Sequence, residues 1–273
     1  MSDALPSELA AGLEATASRR GPLGSPVYYF NETGSTNDVA ATLAEGGAAE
    51  GTLVLASTQT AGRGRLGRQW HSPPDAGLYA SLIFRSAAAA PFLTLAGGVA
   101  VAQGIRQATA LPVHIKWPND IVISDRARPS RRRKLAGLLA EASSGADGVL
   151  HVVLHVVLGI GINIKATAYP PELADKASSL ETELGRPVDA GAVLGETLAA
   201  LERAMGSLRR GDAARVLGRW RELAPSAFGS SVEADVGGER VAGVAEGIDD
   251  SGALLVRVNG RLERVLSGEV LWT

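Results

Sequence analysis

Three arginines separated by glycines, between Gly62 and Arg68, are the side chains with the most evident chemistry. A guanidinium offers paired donors to phosphate or carboxylate oxygens, and glycine lets the backbone approach a ligand closely. The run also matches the GxGxxG dinucleotide pattern, but it continues into Trp70-His71-Ser72-Pro73-Pro74, where that fold requires a helix. We therefore interpret it as a loop that closes over a phosphate-bearing ligand. Taken alone, the run is equally typical of a solvated basic loop.

The segment Lys116-Trp117-Pro118-Asn119-Asp120 combines a cation with two oxygen-bearing side chains. Pro-Asn-Asp is favourable turn chemistry, and it lies between two β-rich runs, so the segment predicts a hairpin. Nucleotide phosphates that carry Mg²⁺ require this combination of a cation and oxygen ligands within short reach. In isolation, an ordinary hairpin turn explains the segment better.

Three further segments carry weaker signals. Lys134 opens an apolar run, where its ammonium could balance a carboxylate or a phosphate, or could merely end a basic run. Gly159 and Gly161 alternate along an apolar strand, which is typical of close approach by a ligand or by another backbone. Ser35 and Thr36 precede a helical pattern, and helix capping alone would explain them.

These segments lie among alternating strand and helix patterns. Residues 27–30, 52–57 and 78–84 are β-rich and predict strands, whereas the apolar spacing of residues 91–110 predicts a core helix. The polar run from Ser124 to Arg133 contains five arginines and predicts a flexible loop.

The composition along the chain predicts three parts. Residues 1–24 are rich in Ala, Glu and Ser with no apolar element around them, and they predict an N-terminal tail. Residues 25–226 have the texture of a folded domain and predict the main domain of the chain. Residues 227–273 contain short β-rich runs punctuated by glycine, which predict a small barrel of about five strands.

Composition also excludes several classes of protein. The 273-residue chain has no cysteine, which excludes disulfides, zinc-cysteine sites and thiol catalysis. No apolar run approaches the roughly 18 residues of a membrane span, and no signal core is evident, so we expect a cytoplasmic protein without membrane contact. A net charge of −2 and too few N-terminal residues for a helix-turn-helix lead us to expect no DNA binding.

The five segments, in the order GSTN, QTAGRGRLGRQW, KWPND, RKLAGLLAE and GIGINI, together closely resemble the catalytic domain of biotin protein ligases. The resemblance runs from Phe30 to Ile164, and the segment LSGEV extends it nearly to Thr273. It implies an α+β fold: a mixed-sheet catalytic domain of the class II aminoacyl-tRNA synthetase type, followed by a small SH3-like β-barrel. The implied activity is ATP-dependent ligation, in which biotin is activated with Mg-ATP to biotinyl-5′-AMP and transferred to a lysine.

The resemblance also implies a role for each matching residue. The catalytic residues would be Lys134, Arg65, Arg68 and Lys116. The residues around biotin would be Ser35, Thr36, Asn37, Gln59, Gly62, Arg63, Gly64, Arg65, Lys134, Gly137, Gly159 and Gly161. The residues around ATP and the adenylate would be Arg65, Arg68, Trp70, Lys116, Asn119, Asp120, Lys134 and Asn163. Asp120 would serve Mg²⁺ through the phosphates.

The implied partner is the biotin carboxyl carrier domain of an acyl-CoA or pyruvate carboxylase, and both a monomer and a homodimer remain open. A lipoate-protein ligase or octanoyltransferase is the nearest competing enzyme. The polar residues Ser35, Thr36 and Gln59 suit the ureido ring of biotin better than a plain acyl chain. The competitor from another class is a DNA-associated regulator that uses the basic loop. The net charge of −2 argues against such a regulator.

Overall fold

The computed structural model describes residues 2–86, 89–125, 131–144, 153–236, 239–266, 268 and 270–272. Within these ranges the helices are α1 (Ser7–Ala15), α2 (Ala17–Arg20), α3 (Thr36–Glu45), α4 (Leu93–Thr109), α5 (Leu180–Leu184), α6 (Ala190–Arg209) and α7 (Ala213–Leu223). The first sheet contains β1 (Val27–Thr33), β2 (Leu53–Gln59), β3 (Gly77–Phe84), β4 (His114–Lys116), β5 (Asp120–Ser124), β6 (Arg132–Ser144) and β7 (Val153–Asn163). The second contains β8 (Phe228–Val236), β9 (Glu239–Ile248), β10 (Leu254–Val258), β11 (Arg261–Val265) and β12 (Val270–Trp272).

The first sheet is mixed, as expected from the sequence. Its strand order is β1-β2-β3-β7-β6-β5-β4. The pair β1 and β2 is parallel, whereas the other neighbouring strands run antiparallel. Parallel neighbours need a crossover, which α3 supplies between β1 and β2. The predicted strands at residues 27–30, 52–57 and 78–84 and the core helix α4 are confirmed.

Helices cover both faces of this sheet, which explains why its central strands are apolar along their whole length. Val54, Ile83 and Val157 point to one face and pack beneath α3. Leu53 and Leu82, which are register partners, point to the other face and join the main core with α4 and α6. Because successive side chains in a strand alternate between faces, a sheet covered on both sides requires apolar residues at nearly every position.

The N-terminal segment is not a tail, so that prediction is wrong for these residues. Helix α1 packs along α6 so closely that a Cβ on Gly12 would lie 1.9 Å from the Gly191 carbonyl oxygen. Leu13 is buried in the main core, and the Glu8 carboxylate accepts a hydrogen bond from the Ala190 N–H at 2.7 Å. The apolar partner of α1 is α6, which lies far along the chain. Residues 1–24 taken by themselves therefore do not indicate it.

The second sheet is antiparallel, with strand order β11-β10-β9-β8-β12. Its strands confirm the β-rich character predicted for the C-terminal part. In the part of the chain that the structure describes, β11 and β12 do not pair, so closure into a barrel stays a prediction. The predicted loop from Ser124 to Arg133 includes residues 126–130, which lie outside the described ranges, while Arg132 and Arg133 already belong to β6.

Among the helices that the structure describes, none combines the length and apolar character that crossing a bilayer would need.

Candidate active site

Two adjoining cavities lie where α3, β6, β7 and the arginine-glycine loop meet. The smaller has a volume of about 60 Å³. Its lining includes these predicted site residues: Ser35, Thr36, Asn37, Gln59, Arg63, Gly64, Arg65, Trp70, Asn119, Lys134, Gly137, Gly159 and Gly161. The larger has a volume of about 630 Å³. Its lining includes Gly64, Arg65, Arg68, Trp70, Lys116, Asn119, Asp120, Lys134 and Asn163, together with Gly268, Val270 and Leu271 of the second sheet.

The structure thus brings together the predicted residues from five separate segments, with one exception. Gly62 lines neither cavity. A Cβ on Gly62 would lie 2.6 Å from the Trp70 carbonyl oxygen and 2.8 Å from Ser72 Oγ, so this glycine permits tight closure at the base of the loop. Five residues line both cavities and form their common wall: Gly64, Arg65, Trp70, Asn119 and Lys134.

A buried polar network closes one end of the smaller cavity. Ser81 Oγ lies 2.8 Å from Thr36 Oγ1 and 2.6 Å from Asn37 Oδ1. Gln59 Oε1 accepts hydrogen bonds from Thr36 N–H at 2.9 Å and from its hydroxyl at 3.1 Å, and Gln59 Nε2 donates to Ser72 Oγ at 2.9 Å. These bonds fix the directions of the polar groups before a ligand arrives, and a fixed polar wall discriminates between ligands by their hydrogen-bonding groups.

The arginine-glycine loop is folded back on itself as a short hairpin. Gly64 N–H donates to the Arg68 carbonyl at 2.7 Å, and Trp70 N–H donates to the Gly62 carbonyl at 2.9 Å. Leu66 takes a left-handed backbone conformation with φ of 57°, which is unfavourable for a branched side chain. The turn therefore holds the arginines on either side of Leu66 close to the cavities.

Arg63 secures the loop to the two elements beside it. Its guanidinium pairs with Asp38 of α3 at 2.7 Å and with Glu141 of β6 at 3.1 Å. The hydrogen bond that Arg63 donates to Asp38 is the largest influence on the pKa of Arg63 and raises it, with Glu141 acting in the same direction. Glu141 also accepts a hydrogen bond from Asn37 Nδ2 at 2.6 Å. Arg63 lines the cavity, but its donors are already engaged by carboxylates.

The Trp70 indole fills much of the smaller cavity. A Cβ on Gly161 would lie 2.5 Å from the Trp70 ring, and one on Gly137 would lie 2.9 Å from it. Both strands therefore need glycine where the ring crosses them. The indole N–H is buried and has no hydrogen-bond partner in the described part of the chain. Because ligand pockets usually measure at least about 300 Å³, the ring must move, or the loop must shift, to admit a ligand.

A β-bulge brings Lys134 and Gly137 to the same cavity. The pairing of β5 with β6 shifts register at this point, since Ile121 faces Ala136 whereas Val122 faces Lys134. An extra residue in one strand reverses the alternation of faces beyond it. As a result, a Cβ on Gly137 would lie 3.0 Å from Lys134 Nζ, although regular alternation would place the two residues on opposite faces.

The common wall of the cavities concentrates positive charge. Lys134 Nζ pairs with Asp120 Oδ1 at 2.6 Å and lies 5.1 Å from the centroid of the Trp70 ring. Arg65 donates to Asn119 Oδ1 at 3.3 Å, and burial lowers the pKa of Arg65, with Asp120 opposing that shift. A half-buried guanidinium whose closest polar contact is a neutral amide suits a place that an anionic ligand occupies.

The two predicted asparagines also brace the walls. Asn119 Nδ2 donates to the Leu138 carbonyl at 2.8 Å, and Asn163 Nδ2 donates to the Ser178 carbonyl at 2.9 Å. Both residues line the larger cavity. Both side chains therefore hold neighbouring backbone segments in place.

Two functional residues were missed by sequence reasoning. Ser81 is a buried hydroxyl in the middle of an otherwise apolar strand, and that contrast is the signal that could have indicated it. Glu141 ends the segment RKLAGLLAE, and a carboxylate at the end of an apolar strand was a comparable signal. Ser81 orients two pocket residues, and Glu141 holds Arg63.

Within the described ranges, no three His, Asp or Glu side chains form a cluster that could hold a metal ion. Asp120 and Asn119 provide oxygen atoms at the larger cavity. This donor set fits Mg²⁺ held mainly by substrate phosphates, since Mg²⁺ commonly uses only one or two protein carboxylates in nucleotide sites.

Comparison with known proteins agrees with this geometry. The model of the biotin/lipoate A/B protein ligase family matches residues 29–163, and that of the biotin protein ligase C-terminal domain matches residues 227–271. The chain is 34% identical over 251 residues to the bifunctional ligase/repressor BirA of Bacillus subtilis, covering 91% of this chain and 74% of the relative. It is 33% identical over 259 residues to the biotin–[acetyl-CoA-carboxylase] ligase of Mycobacterium tuberculosis, covering 88% and 86%.

A solved structure gives the same result. The biotin protein ligase of Aquifex aeolicus in complex with biotin and ATP superposes with a TM-score of 0.76 at 26% identity. The superposition covers 91% of this chain and 99% of that one. Sequence motifs, site geometry and overall similarity therefore lead to one conclusion: the chain belongs to the biotin protein ligase family.

Proposed function

We propose that the protein activates biotin with ATP to biotinyl-5′-AMP, releases pyrophosphate, and transfers the biotinyl group to a lysine of a carrier domain. One observation carries the proposal. Arg65 and Lys134 form a cationic wall shared by a small cavity with polar walls and a larger cavity beside Lys116 and Asp120. A ligase that joins two anions needs such a wall between their binding sites, because charge neutralisation is its main catalytic demand.

In this assignment the smaller cavity holds biotin. The fixed network around Thr36, Asn37 and Gln59 offers both donors and acceptors, which a ureido ring requires. Gly159 and Gly161 keep the floor open, since a Cβ on Gly159 would lie 2.4 Å from Asn37 Oδ1. We assign to biotin Ser35, Thr36, Asn37, Gln59, Gly64, Gly137, Gly159 and Gly161, and we give Gly62 and Arg63 the supporting role of closing the loop.

The larger cavity holds ATP in this assignment, and its 630 Å³ falls in the range of nucleotide and cofactor pockets. Arg68, Lys116 and Asp120 line it together with Arg65 and Lys134. Bound Mg²⁺ would supply charge neutralisation of the phosphates, with Asp120 and Asn119 as the nearby protein oxygens. We assign Lys134, Arg65, Arg68 and Lys116 to the catalytic step, and Trp70 and Asn163 to the adenylate side.

The chemistry then proceeds in two displacements. A carboxylate oxygen of biotin attacks the α-phosphorus of ATP, forming the mixed anhydride as pyrophosphate departs. The lysine amine of the acceptor next attacks the acyl carbon, forming an amide as AMP departs with the bonding electrons. Lys134 and Arg65 lie where negative charge concentrates in the first step, and holding both reactants in place supplies much of the rate.

The remaining parts of the proposal concern fold, partner and location. The C-terminal sheet, of which three residues line the larger cavity, is proposed to be an SH3-like barrel on a catalytic domain of the class II aminoacyl-tRNA synthetase type. We propose a biotin carboxyl carrier domain of an acyl-CoA or pyruvate carboxylase as acceptor. The cytoplasm, which supplies ATP, is the proposed location.

The decisive experiment supplies purified protein with Mg-ATP, radiolabelled biotin and a biotin carrier domain. We expect pyrophosphate release that depends on biotin, followed by label on the carrier. Parallel reactions with lipoate and octanoate test the competing assignment, and Lys176→Ala serves as a matched variant because Lys176 lines neither cavity. Equal release with lipoate would overturn the assignment of the polar network, and no release with any of the three acids would overturn the proposed function.

A further inference from the structure

A rigid turn connects the C-terminal sheet to the catalytic domain. Residues 249–253 join β9 to β10, and Asp249 Oδ1 accepts hydrogen bonds from Ser251 N–H at 2.8 Å, Ser251 Oγ at 2.7 Å and Ala253 N–H at 3.0 Å. Asp249 Oδ2 accepts a further hydrogen bond from Arg264 Nε at 2.6 Å. One side of this turn is thus fixed by hydrogen bonds within its own domain, so the turn moves together with the C-terminal sheet.

The turn contacts three elements of the catalytic domain. Trp117, in the β4–β5 connection, donates its indole N–H to the Gly252 carbonyl at 3.1 Å. Arg221 of α7 donates to the Ile248 carbonyl at 3.0 Å. Gly252 has φ of +86°, and a Cβ there would lie 2.5 Å from Leu95 Cδ1 of α4. Position 252 therefore favours glycine, because of its backbone conformation and because a Cβ would displace the Leu95 side chain.

Trp117 lies at the start of the segment that faces the larger cavity. It is 3% exposed, and it lines one edge of that cavity beside its chain neighbours Lys116, Asn119 and Asp120. Asn119 contacts Arg65, and Asp120 pairs with Lys134. A shift of the indole would therefore be passed through two residues of backbone to both cations of the common wall.

We propose that Trp117 is a positioning residue, and that its hydrogen bond to Gly252 lets the C-terminal sheet set the ATP-binding side of the site. This inference rests on the proposed function, because it assigns the larger cavity to ATP. It predicts a larger effect on the nucleotide than on biotin, since no hydrogen bond links the polar network around Gln59 to the Trp117–Gly252 joint in the described structure.

Two variants break the joint from opposite sides. Trp117→Phe keeps an aromatic ring but removes the N–H, and Gly252→Ala adds a methyl group against Leu95. We expect each to raise the KM for ATP about fivefold, the effect of losing one hydrogen bond, with a smaller rise in the KM for biotin. Because both act on one contact, the double variant should be no worse than the worse single variant.

Matched controls separate this role from a merely structural one. Gly260→Ala adds a methyl group at a glycine with φ of +81° in the same sheet, where no atom lies within 4 Å. Trp220→Phe removes a buried indole N–H that has no hydrogen-bond partner in the described residues. We expect both controls to retain the wild-type KM for ATP, and thermal melts to show that all four proteins are folded.

The outcomes are distinct. Equal rises in the KM for ATP and biotin, unchanged KM values in both joint variants, or fully multiplicative effects in the double variant would each overturn the inference. Should Trp117→Phe fail to fold, Gly252→Ala carries the test from the other domain. Calorimetric titration measures ATP binding without turnover. If the wild-type protein binds ATP but releases no pyrophosphate with biotin, the proposed function is contradicted. The effect of the joint variants on the affinity for ATP can still be measured in that case.

Discussion

Lys134 Nζ lies 2.6 Å from Asp120 Oδ1, and the two residues belong to the neighbouring strands β6 and β5. Lys134 is the register partner of Val122, which shares a face of β5 with Asp120, and the bulge in β6 adds Gly137 to that face. The contact is thus a diagonal one between the two strands. It leaves both side chains partly accessible, at 33% for Lys134 and 26% for Asp120, so the ammonium is held in place without being removed from solvent. An anion entering the cavity therefore meets an oriented cation.

Replacing Lys134 tests whether this cation is needed for adenylate formation. We expect Lys134→Ala to lower biotin-dependent pyrophosphate release at least 100-fold, in line with the loss of one preorganised electrostatic group. The melting temperature should change little, because a pair this exposed contributes little to stability. Pyrophosphate release and a thermal melt measure the two effects.

Lys176→Ala is the control for charge. Lys176 is an exposed lysine close to Lys134, because its backbone carbonyl accepts a hydrogen bond from the Lys134 N–H at 2.8 Å. It should release pyrophosphate at the wild-type rate. Near-normal release by Lys134→Ala would remove Lys134 from the catalytic step.

Arg65 is expected to retain the reactive adenylate. Arg65 belongs to the arginine-glycine loop, and its half-buried side chain contacts Asn119. Arg65→Gly therefore removes a cation from the common wall and loosens this loop. We expect adenylate to escape about tenfold faster, as for the loss of a hydrogen bond to a charged group, and untargeted lysines to be labelled.

Labelling of a bystander protein with biotin measures this escape. Arg186→Gly removes an exposed arginine that lines neither cavity and should label the bystander no more than the wild type does. If Arg65→Gly behaves like this control, the loop does not retain the adenylate.

The ion pair between Arg63 and Asp38 should slow opening of the loop. The two side chains are 41% and 58% exposed, so solvent screens the pair and its contribution is about 0.2–1 kcal/mol. We therefore expect Asp38→Asn to raise the dissociation rate of biotin about two- to fivefold. Stopped-flow dissociation measures this rate, and Glu45→Gln, at the exposed end of the same helix, is the matched control. A rate equal to that of the control would show that the pair does not limit opening.

The sequence predicted the composition of the site better than its internal arrangement. The resemblance carried by the order of the motifs grouped residues such as Gln59, Lys116 and Gly161 in one site, and in the structure they line two adjoining cavities. Strand periodicity did not predict the bulge beside Lys134, because one extra residue leaves no mark in an apolar run. Likewise, the position of Trp70 across two glycines depends on the closed loop, which local propensity does not determine.

Long-range packing accounts for the remaining differences. Helix α1 has a weak apolar face, and its stability comes from close contact of Gly12 with Gly191 on α6. Ser81 becomes significant only because β3 passes beneath the start of α3, which brings Thr36 and Asn37 to its hydroxyl. Such contacts join residues that are distant in sequence, so composition and periodicity contain no record of them.

The free energy of unfolding should depend on pH in the acid range through Asp249, which lies in the same turn as Gly252. Burial by itself would raise the pKa of Asp249, but hydrogen bonds from Ser251 and Arg264 outweigh it and lower the pKa to about 2, against an ordinary 3.8. The unfolded chain therefore takes up this proton more readily than the folded one. The resulting stabilisation is present above pH 4 and is lost as the pH falls towards 2.

Asp249→Asn removes this ionisation, so the variant should be less stable than the wild type at pH 6, and the difference should shrink steadily between pH 4 and pH 2. Urea unfolding across that range measures it, with Glu239→Gln as the control because Glu239 is an exposed carboxylate at the start of β9 in the same sheet. Other carboxylates titrate in the same window, but they are common to wild type and variant and cancel in the difference. A difference that stays constant with pH would show that the charge of Asp249 does not hold the turn, and that its hydrogen bonds to Ser251 are sufficient.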